Sequence, residues 1–316
     1  MLAAGEEIAI PPESHFLGYL YHRNRGRLRA WTPDLTRQAV ADAVGDAHFR
    51  EWELPPELVW AEVEEASPAS YAEAMACVYQ AYAKREGKQR WGDKTPHYVF
   101  ELDVLQGLFP GMRVVHLIRD GRDVACSHLS LHRSGQHWTA GSAPAAAGWW
   151  CAALRAGRAA GRRLGDRYLE VRYEQLVTDP QGTLPEVCAF AGIGYRPEMI
   201  QDRRAIVLSG DPLFARAAGA VETAARSWRR ELTPRQIAEF EAVAAGELEA
   251  LGYPLSGIER SPLVEAEARA RASGFMGFRR SRRWARQQAH RFAVPLARRK
   301  QRRRIRRMEA GGEAGL

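Results

Sequence analysis

The segment at residues 113–132 constrains the fold more than any other part of the chain. It begins with an apolar run rich in β-branched residues, which predicts a buried β-strand. The run ends at Arg119, an Asp-Gly turn follows, and the next residues have the character of a helix that carries Ser127. Because ligands of α/β folds bind at the carboxyl ends of the strands, Arg119 and Ser127 are predicted to face one anion, such as a phosphate.

A simpler interpretation of the same segment also fits the sequence. Arg119 and Asp120 could form only a surface ion pair on a turn between a strand and a helix. Anion-binding turns and solvated turns are both common in α/β folds, so this segment alone leaves the two interpretations open.

Strand-like and helix-like patterns alternate along the chain, which predicts an α/β fold with a mostly parallel sheet flanked by helices. Residues 202–226 are poorly periodic and are predicted to form an irregular segment that covers the site. The predicted strands lie at 8–10, 113–118 and 168–173, and the predicted helices at 32–48, 68–86, 121–133, 145–164, 181–192 and 234–251, with a further helix opened by Thr95-Pro96.

Composition indicates a globular protein. The 316 residues are 46% hydrophobic, which is enough for one sizeable core. No apolar run approaches the roughly 20 residues that span a bilayer, and the residues after Met1 do not have the pattern of a signal peptide. The four cysteines have no paired spacing. We therefore expect reduced cysteines in a cytoplasmic protein.

The formal net charge of +8 is distributed unevenly. Residues 269–316 contain 16 Arg or Lys and two Asp or Glu, whereas the rest of the chain contains 30 and 36. We therefore predict a globular domain at 1–258 and a basic, partly helical extension at 259–316. The extension could be a solvated tail, an amphipathic segment on an anionic membrane such as the inner membrane face, or a polyanion site, with nucleic acid the less expected partner.

Two motifs make the chain resemble a known family. Residues 118–124 read Ile-Arg-Asp-Gly-Arg-Asp-Val and are followed by Ser127, and residues 171–177 read Val-Arg-Tyr-Glu-Gln-Leu-Val. Over residues 6–255 the chain resembles the sulfotransferases that use 3′-phosphoadenosine 5′-phosphosulfate (PAPS), in particular the bacterial relatives of the tyrosylprotein sulfotransferases. The resemblance implies a P-loop-NTPase-like three-layer α/β fold and PAPS as the co-substrate.

The resemblance also implies a set of nucleotide-binding residues. Arg119 and Ser127 would bind the 3′-phosphate, and Tyr173 would contact the nucleotide near it. Ser227 would reach the sulfate and, with Trp228, close over the nucleotide. Packing is the commoner fate of a tryptophan, so a purely structural role for Trp228 stays open.

Two further residues acquire catalytic roles through the resemblance. Glu13, just past a predicted strand, would be the general base that takes the proton of the acceptor hydroxyl, an effect worth about 10²–10⁴-fold. Lys94 would stabilise the charge that develops during sulfuryl transfer. Ser227, which would reach the sulfate, is the third residue expected to be catalytic. The alternatives are a solvated loop glutamate, His15 as the base, and an ordinary surface lysine.

Other chemistries receive little support from the sequence. His128 and His132 have i, i+4 spacing but lack the intervening glutamate and a third ligand of a zinc site, so no metal is expected. A Gly-x-Ser-x-Gly nucleophile elbow does not occur.

One part of the family pattern is not found in this sequence. The resembling enzymes have a first strand and a phosphate loop, roughly Pro-Arg-Ser-Gly-Thr-Thr, whose backbone N–H groups bind the 5′-phosphosulfate. The sequence instead starts at Met1 with what resembles the end of the helix after that loop. We expect either a start codon assigned too far downstream or a truncated protein. We also expect weak nucleotide binding and impaired sulfotransferase activity of the chain as it stands.

The sequence thus predicts an enzyme that moves a sulfuryl group from PAPS to an acceptor hydroxyl. Two alternatives remain: a non-catalytic remnant that binds nucleotide, and a protein that acts through its basic extension on membranes or polyanions. The acceptor stays open between a sugar, a lipid, a phenol and a peptide tyrosine, because fold and co-substrate do not fix it.

Overall fold

The structure, a computed structural model, describes residues 1–136, 139–201, 227–279 and 281. The strands in these residues are β1 (Ile8–Ala9), β2 (Arg90–Trp91), β3 (Val114–Ile118) and β4 (Tyr168–Arg172). The α-helices are α1 (Phe16–Asn24), α2 (Pro33–Val44), α3 (Pro56–Ala66), α4 (Tyr71–Arg85), α5 (Leu102–Leu108), α6 (Gly121–Arg133), α7 (Ala143–Leu164), α8 (Tyr173–Thr178), α9 (Pro180–Ala191), α10 (Glu198–Gln201), α11 (Trp228–Glu231), α12 (Pro234–Ala250) and α13 (262–279).

The strands form two parallel pairs. β1 pairs with β2, with Ile8 opposite Arg90, and β3 pairs with β4, with Val114 opposite Tyr168. Within the described ranges these pairs are two separate sheets, not one continuous sheet. Helices connect the partners of each pair, as parallel pairing requires. The predicted α/β class with parallel strands is confirmed.

Most predicted helices are present, and two predictions are wrong. The helix α3 lies in the proline-containing segment between the helices predicted at 32–48 and 68–86, where no helix was predicted. A proline in the first turn is compatible with a helix. The helix predicted to open at Thr95 is a 3-10 helix (Pro96–Phe100) followed by α5. The Thr95 side chain does not cap it, since Oγ1 accepts the backbone N–H of Ser14 at 3.0 Å.

The turn after β3 is fixed by close packing at Gly121. Helix α7 packs against both α6 and α12. A Cβ atom at Gly121 would lie 2.5 Å from Cδ2 of Trp150 and 2.8 Å from Cζ of Phe240, which is too close for any other residue. Glycine therefore lets α6 begin in direct contact with α7 and α12. This contact fixes the position of the turn that follows β3.

The last helix of the described residues, α13, packs onto the α/β core. Its Ala268 and Ala272 are buried, and Arg269 Nε donates to the carbonyl oxygen of Ala242 at 3.1 Å. The domain boundary at residue 258 stays a prediction. The predicted irregular segment 202–226 and residues 282–316 lie outside the described residues. In the described part of the chain, no helix combines the length and the apolar character needed to cross a membrane.

Candidate functional site

The first part of the candidate site lies at the carboxyl ends of β1 and β2. Glu13 follows β1 and Lys94 follows β2, so parallel pairing brings the two loops to the same edge. Lys94 Nζ donates to Glu13 Oε1 at 2.5 Å. The structure therefore places the predicted base and the predicted cation in direct contact. We call Glu13, His15 and Lys94 the catalytic part of the site.

A hydrogen-bond network fixes the two loops of the catalytic part against each other. The Ser14 hydroxyl donates to Asp93 Oδ2 at 2.7 Å and lies 2.7 Å from the Tyr98 hydroxyl. The same Asp93 oxygen accepts the Tyr79 hydroxyl at 2.7 Å. Burial raises the pKa of the Asp93 carboxyl, although these hydrogen bonds oppose the shift. Sequence analysis missed this network, whose only signal was the position of Ser14 and Asp93 directly beside Glu13 and Lys94.

The carboxyl group of Glu13 is ionised at neutral pH. Burial would raise its pKa, but hydrogen bonds with His15 and Lys94 outweigh that effect and hold the pKa below its usual value. A carboxylate held by a lysine is a weak base until the lysine moves away. In this structure the Glu13 carboxylate is therefore occupied by Lys94 and His15, and the role of Glu13 as a base stays a prediction.

His15, which the sequence offered as an alternative base, is in direct contact with Glu13, the predicted base. Its Nε2 lies 3.0 Å from Glu13 Oε2, and its ring lies 4.6 Å from the ring of His48, between centroids. The backbone of His15 has φ of 50°, a left-handed conformation that is uncommon outside glycine and often marks functional sites. The two candidate bases of the sequence analysis therefore form one pair.

The second part of the site lies at the carboxyl ends of β3 and β4. Arg119 directly follows β3, and Tyr173 directly follows β4. The Arg119 guanidinium lies over the Tyr173 ring, 4.5 Å from its centroid, and the Arg119 carbonyl accepts the indole N–H of Trp150 at 3.1 Å. Arg119 Nε is buried and has no hydrogen-bond partner among the described residues. Such a donor suits an anionic ligand. We call Arg119 and Tyr173, with Ser127 and Ser227, the phosphate part of the site, after its predicted ligand.

Ser127 and Ser227 are connected to this guanidinium through Asp123. Ser127 is one helical turn beyond Asp123 on α6, and Asp123 Oδ2 lies 3.6 Å from Arg119 Nη2. Residues four apart share a helix face, so Ser127 projects from the side of α6 that bears Asp123. Ser227 precedes Trp228, whose backbone N–H donates to Asp123 Oδ1 at 2.9 Å.

Trp228 itself is packed in the protein interior. Its side chain is buried, and the guanidinium groups of Arg122 and Arg229 lie 3.9 and 4.1 Å from its ring centroid. This arrangement favours the packing role that the sequence left open. A direct nucleotide contact by Trp228 stays a prediction.

A buried ionic network lies behind the phosphate part. Arg122, 1% exposed, donates from Nη2 to Asp120 Oδ2 and from Nη1 to Glu241 Oε1, each at 2.7 Å. Burial would lower the pKa of Arg122, but these two carboxylates outweigh it and raise the pKa. The predicted alternative of a surface ion pair between Arg119 and Asp120 is therefore wrong. The Asp120 side chain points into the core, where its negative charge compensates the positive charge of the buried Arg122 guanidinium.

The two histidines on α6 have structural surroundings. His128 Nδ1 accepts the backbone N–H of Ala140 at 3.1 Å, and burial lowers the pKa of His128 to about 4. The described residues contain no cluster of three histidine, cysteine or carboxylate side chains able to hold a metal ion.

The catalytic and phosphate parts open into one cleft. Glu13, Lys94 and Arg119 all line it, and its volume is about 3360 Å³. Pockets for single small ligands are usually about 300–1,000 Å³, so this cleft is larger than a single ligand site, and it also extends along apolar strand residues such as Val115, Leu117 and Val171.

The sequence matches a family model described as the sulfotransferase family over residues 1–197, more than half of the chain. Carbohydrate sulfotransferase 7 of Mus musculus is 31% identical over 115 residues, which are 35% of this chain and 24% of that protein. Carbohydrate sulfotransferase 2 of Homo sapiens is 38% identical over 94 residues, which are 28% and 18%. The chain thus spans a quarter or less of these two relatives.

A solved structure is similar over most of the chain. The sulfotransferase domain of the olefin synthase of Synechococcus PCC 7002 superposes with a TM-score of 0.53 and 25% sequence identity, covering 80% of this chain and 88% of that chain. None of the relatives named here is a tyrosylprotein sulfotransferase, so the predicted likeness to that branch stays a prediction.

Proposed function

This chain belongs to the sulfotransferase family, and on this basis we propose that it moves a sulfuryl group from PAPS to an acceptor hydroxyl. The observation that carries the proposal is the cleft itself. It holds a carboxylate–lysine pair, Glu13 and Lys94, and a guanidinium, Arg119, with a buried N–H donor that has no partner in the described part of the chain. A base, a cation and an anion-binding group are the functions that sulfuryl transfer to a hydroxyl requires.

The phosphate part fits the nucleotide of PAPS. Arg119 and Ser127 would hold the 3′-phosphate, with Tyr173 beside it and Ser227 near the sulfate. PAPS supplies a sulfuryl group bound to a phosphate leaving group. Arg119 Nε, which has no acceptor among the described residues, supports this assignment, because a buried N–H without an acceptor costs free energy that an anion would recover.

The catalytic part would manage the proton and the charge. Glu13 would accept the proton of the acceptor hydroxyl at a carboxylate oxygen. Lys94 would leave Glu13 and place its charge beside the reacting oxygens, which both frees the base and stabilises negative charge. His15 would continue to hold the second oxygen of Glu13, so that the carboxylate keeps its orientation.

A carbohydrate hydroxyl is the first acceptor class to test. The named relatives are carbohydrate sulfotransferases, although the chain covers only a small share of their length. The assay incubates the protein with PAPS and a panel of sugars, lipids, phenols and tyrosine peptides. Mass spectrometry should find sulfated product and adenosine 3′,5′-bisphosphate in equal amounts. Absence of both with every acceptor would refute the proposal.

Two variants locate the base in this assay. Glu13→Ala is expected to keep nucleotide binding and to lose turnover by about 10²–10⁴-fold. Glu51→Ala, which changes an exposed glutamate that also lines the cleft, should be nearly as active as the wild type. Full activity of Glu13→Ala would show that the base is another residue.

The basic extension supports a second proposal, that the protein is cytoplasmic and binds peripherally to the anionic inner membrane face. Its charge excess in residues 269–316 carries this idea. Flotation of the full chain with phosphatidylserine vesicles should exceed flotation with neutral vesicles. The excess should fall when Arg302, Arg303, Arg304, Arg306 and Arg307 are changed to Gln. Equal flotation of both proteins would exclude the membrane role.

A further inference from the structure

Asp123 contacts both sides of the phosphate part. It lies in the first turn of α6, and 12% of its side chain is exposed. Its Oδ1 accepts the backbone N–H of Trp228 at 2.9 Å, and its Oδ2 lies 3.6 Å from Arg119 Nη2. Each carboxylate oxygen therefore has a separate partner, and the Trp228 partner is 105 residues distant in the sequence.

The two aspartates of the turn have different partners. Asp120 points into the core, where both of its oxygens accept hydrogen bonds from Arg122. Asp123 points to the side of α6 on which Arg119 lies. Asp120 thus belongs to the buried network behind the site, whereas Asp123 is in contact with the cation that faces the ligand.

The contact with Asp123 limits the freedom of the Arg119 guanidinium. Asp123 lies on one side of the guanidinium, and the centroid of the Tyr173 ring lies 4.5 Å from the guanidinium carbon. Both contacts leave the buried Nε of Arg119 without a partner in the described part of the chain. A guanidinium that is already held in place loses less rotational freedom when it binds an anion, and this increases affinity.

The hydrogen bond to Trp228 has a second consequence. Ser227 directly precedes Trp228, and its side chain does not cap α11. Because Asp123 binds the Trp228 N–H and also lies beside Arg119, its carboxylate holds the backbone next to Ser227 near Arg119. Burial raises the pKa of Asp123, and the Trp228 N–H and the Arg119 charge oppose that shift, so both partners favour the ionised carboxylate.

We propose that Asp123 is a positioning residue of the nucleotide site, which couples the Arg119 guanidinium to the segment that begins at Ser227. The inference rests on the proposed function, because the ligand it concerns is the 3′-phosphate of PAPS. Asp123 does not bind the nucleotide, since carboxylate and phosphate repel each other. It acts through Arg119 and through the backbone of Trp228.

Calorimetric titration of Asp123 variants of the full chain tests the coupling. The probes are adenosine 3′,5′-bisphosphate and adenosine 5′-monophosphate, which lacks the 3′-phosphate. Asp123→Ala should weaken binding of the bisphosphate about tenfold, with little change for the monophosphate. Asp123→Asn keeps an oxygen for the Trp228 N–H and should weaken bisphosphate binding only about threefold.

Hydrogen exchange at the Trp228 amide provides a readout without nucleotide. Exchange should be faster in Asp123→Ala than in Asp123→Asn or in the wild type. The control is Asp103→Asn, which changes an exposed aspartate paired with Arg163 and should alter neither measurement.

Two results would overturn the inference. Tighter bisphosphate binding by Asp123→Ala would mean that the carboxylate only competes with the phosphate for Arg119. Unchanged binding together with unchanged exchange would mean that Asp123 positions nothing. If the wild type binds neither nucleotide, the proposed function fails, and the exchange measurement alone then decides whether Asp123 holds the Trp228 segment.

Discussion

The catalytic part and the phosphate part of the site are built differently. In the catalytic part the charged groups satisfy one another, since Lys94 donates to Glu13 and His15 contacts its second oxygen. In the phosphate part Arg119 keeps a buried donor without a partner in the described residues. The first arrangement must rearrange before it can act, whereas the second already suits an anion.

The supports behind the two parts differ as well. Neutral hydroxyl groups and one carboxylate join the loops of the catalytic part. Behind the phosphate part lies an ionic network in which Arg122 and Glu241 are almost fully buried. Buried ion pairs cost desolvation energy and are strongly destabilising when only one partner is removed. The geometry of the phosphate part therefore depends on the ionic network in the core, whereas the geometry of the catalytic part depends on local hydrogen bonds.

Removing the Arg122 charge should have the largest effect on stability. Arg122→Met leaves Asp120 buried without its cation and leaves Glu241 paired with Arg260, so the free energy of unfolding should fall by about 3–5 kcal/mol. Urea denaturation measures this loss. The matched change Arg163→Met removes an exposed pair with Asp103 and should cost at most about 1 kcal/mol. Equal losses in both variants would show that the buried network behind the phosphate part contributes no more to stability than an exposed ion pair.

The Lys94 variant should affect chemistry without affecting the fold. Half of the Lys94 side chain is exposed, so Lys94→Met should keep the stability of the wild type. Turnover should fall by about 10²–10³-fold, as for other groups that stabilise transition-state charge. Steady-state kinetics and thermal melting give the two values. Lys84→Met, at an exposed lysine paired with Glu62, is the control. A melting temperature that falls with turnover would contradict a purely local role for Lys94.

Acidification should weaken the fold through His128 on α6. Its pKa is about 4 in the folded protein against about 6.5 in the unfolded chain, so stability is lost as the pH falls from 6.5 towards 4. At pH 5 the loss should be about 2 kcal/mol. Urea denaturation at pH 7 and pH 5 measures it. The part due to His128 is the difference from His128→Gln, and an identical pH dependence in that variant would exclude the effect.

The phosphate part and the catalytic part also differ in how well the sequence alone could predict them. The segment with Arg119 and Ser127 was predictable because a β-branched run, an Asp-Gly turn and a helix lie together within 20 residues. The roles of Glu13 and Lys94 came only from the family resemblance, because a loop glutamate and a loop lysine have no pattern of their own. Their contact depends on the pairing of β1 with β2, two strands of two residues each.

The buried network was not predictable from local pattern. Arg122 binds Glu241, a residue on α12 that is 119 positions further along the chain. Charged residues of this type are mostly exposed, so the sequence alone gave no reason to place this pair in the core. The distant partner of Asp123 is the backbone N–H of Trp228, and every residue except proline has such a group, so no sequence pattern could indicate this contact.

The central claim is that Arg119 belongs to a site for the 3′-phosphate of an adenine nucleotide. Calorimetric titration of adenosine 3′,5′-bisphosphate and adenosine 5′-monophosphate into the wild type and Arg119→Ala tests it most directly. The wild type should bind the bisphosphate at least about 30-fold more tightly than the monophosphate, and Arg119→Ala should lose most of that preference, since truncating one partner of a buried charge pair costs about 2 kcal/mol or more. Equal affinities for the two nucleotides in the wild type, or an undiminished preference in Arg119→Ala, would contradict the account.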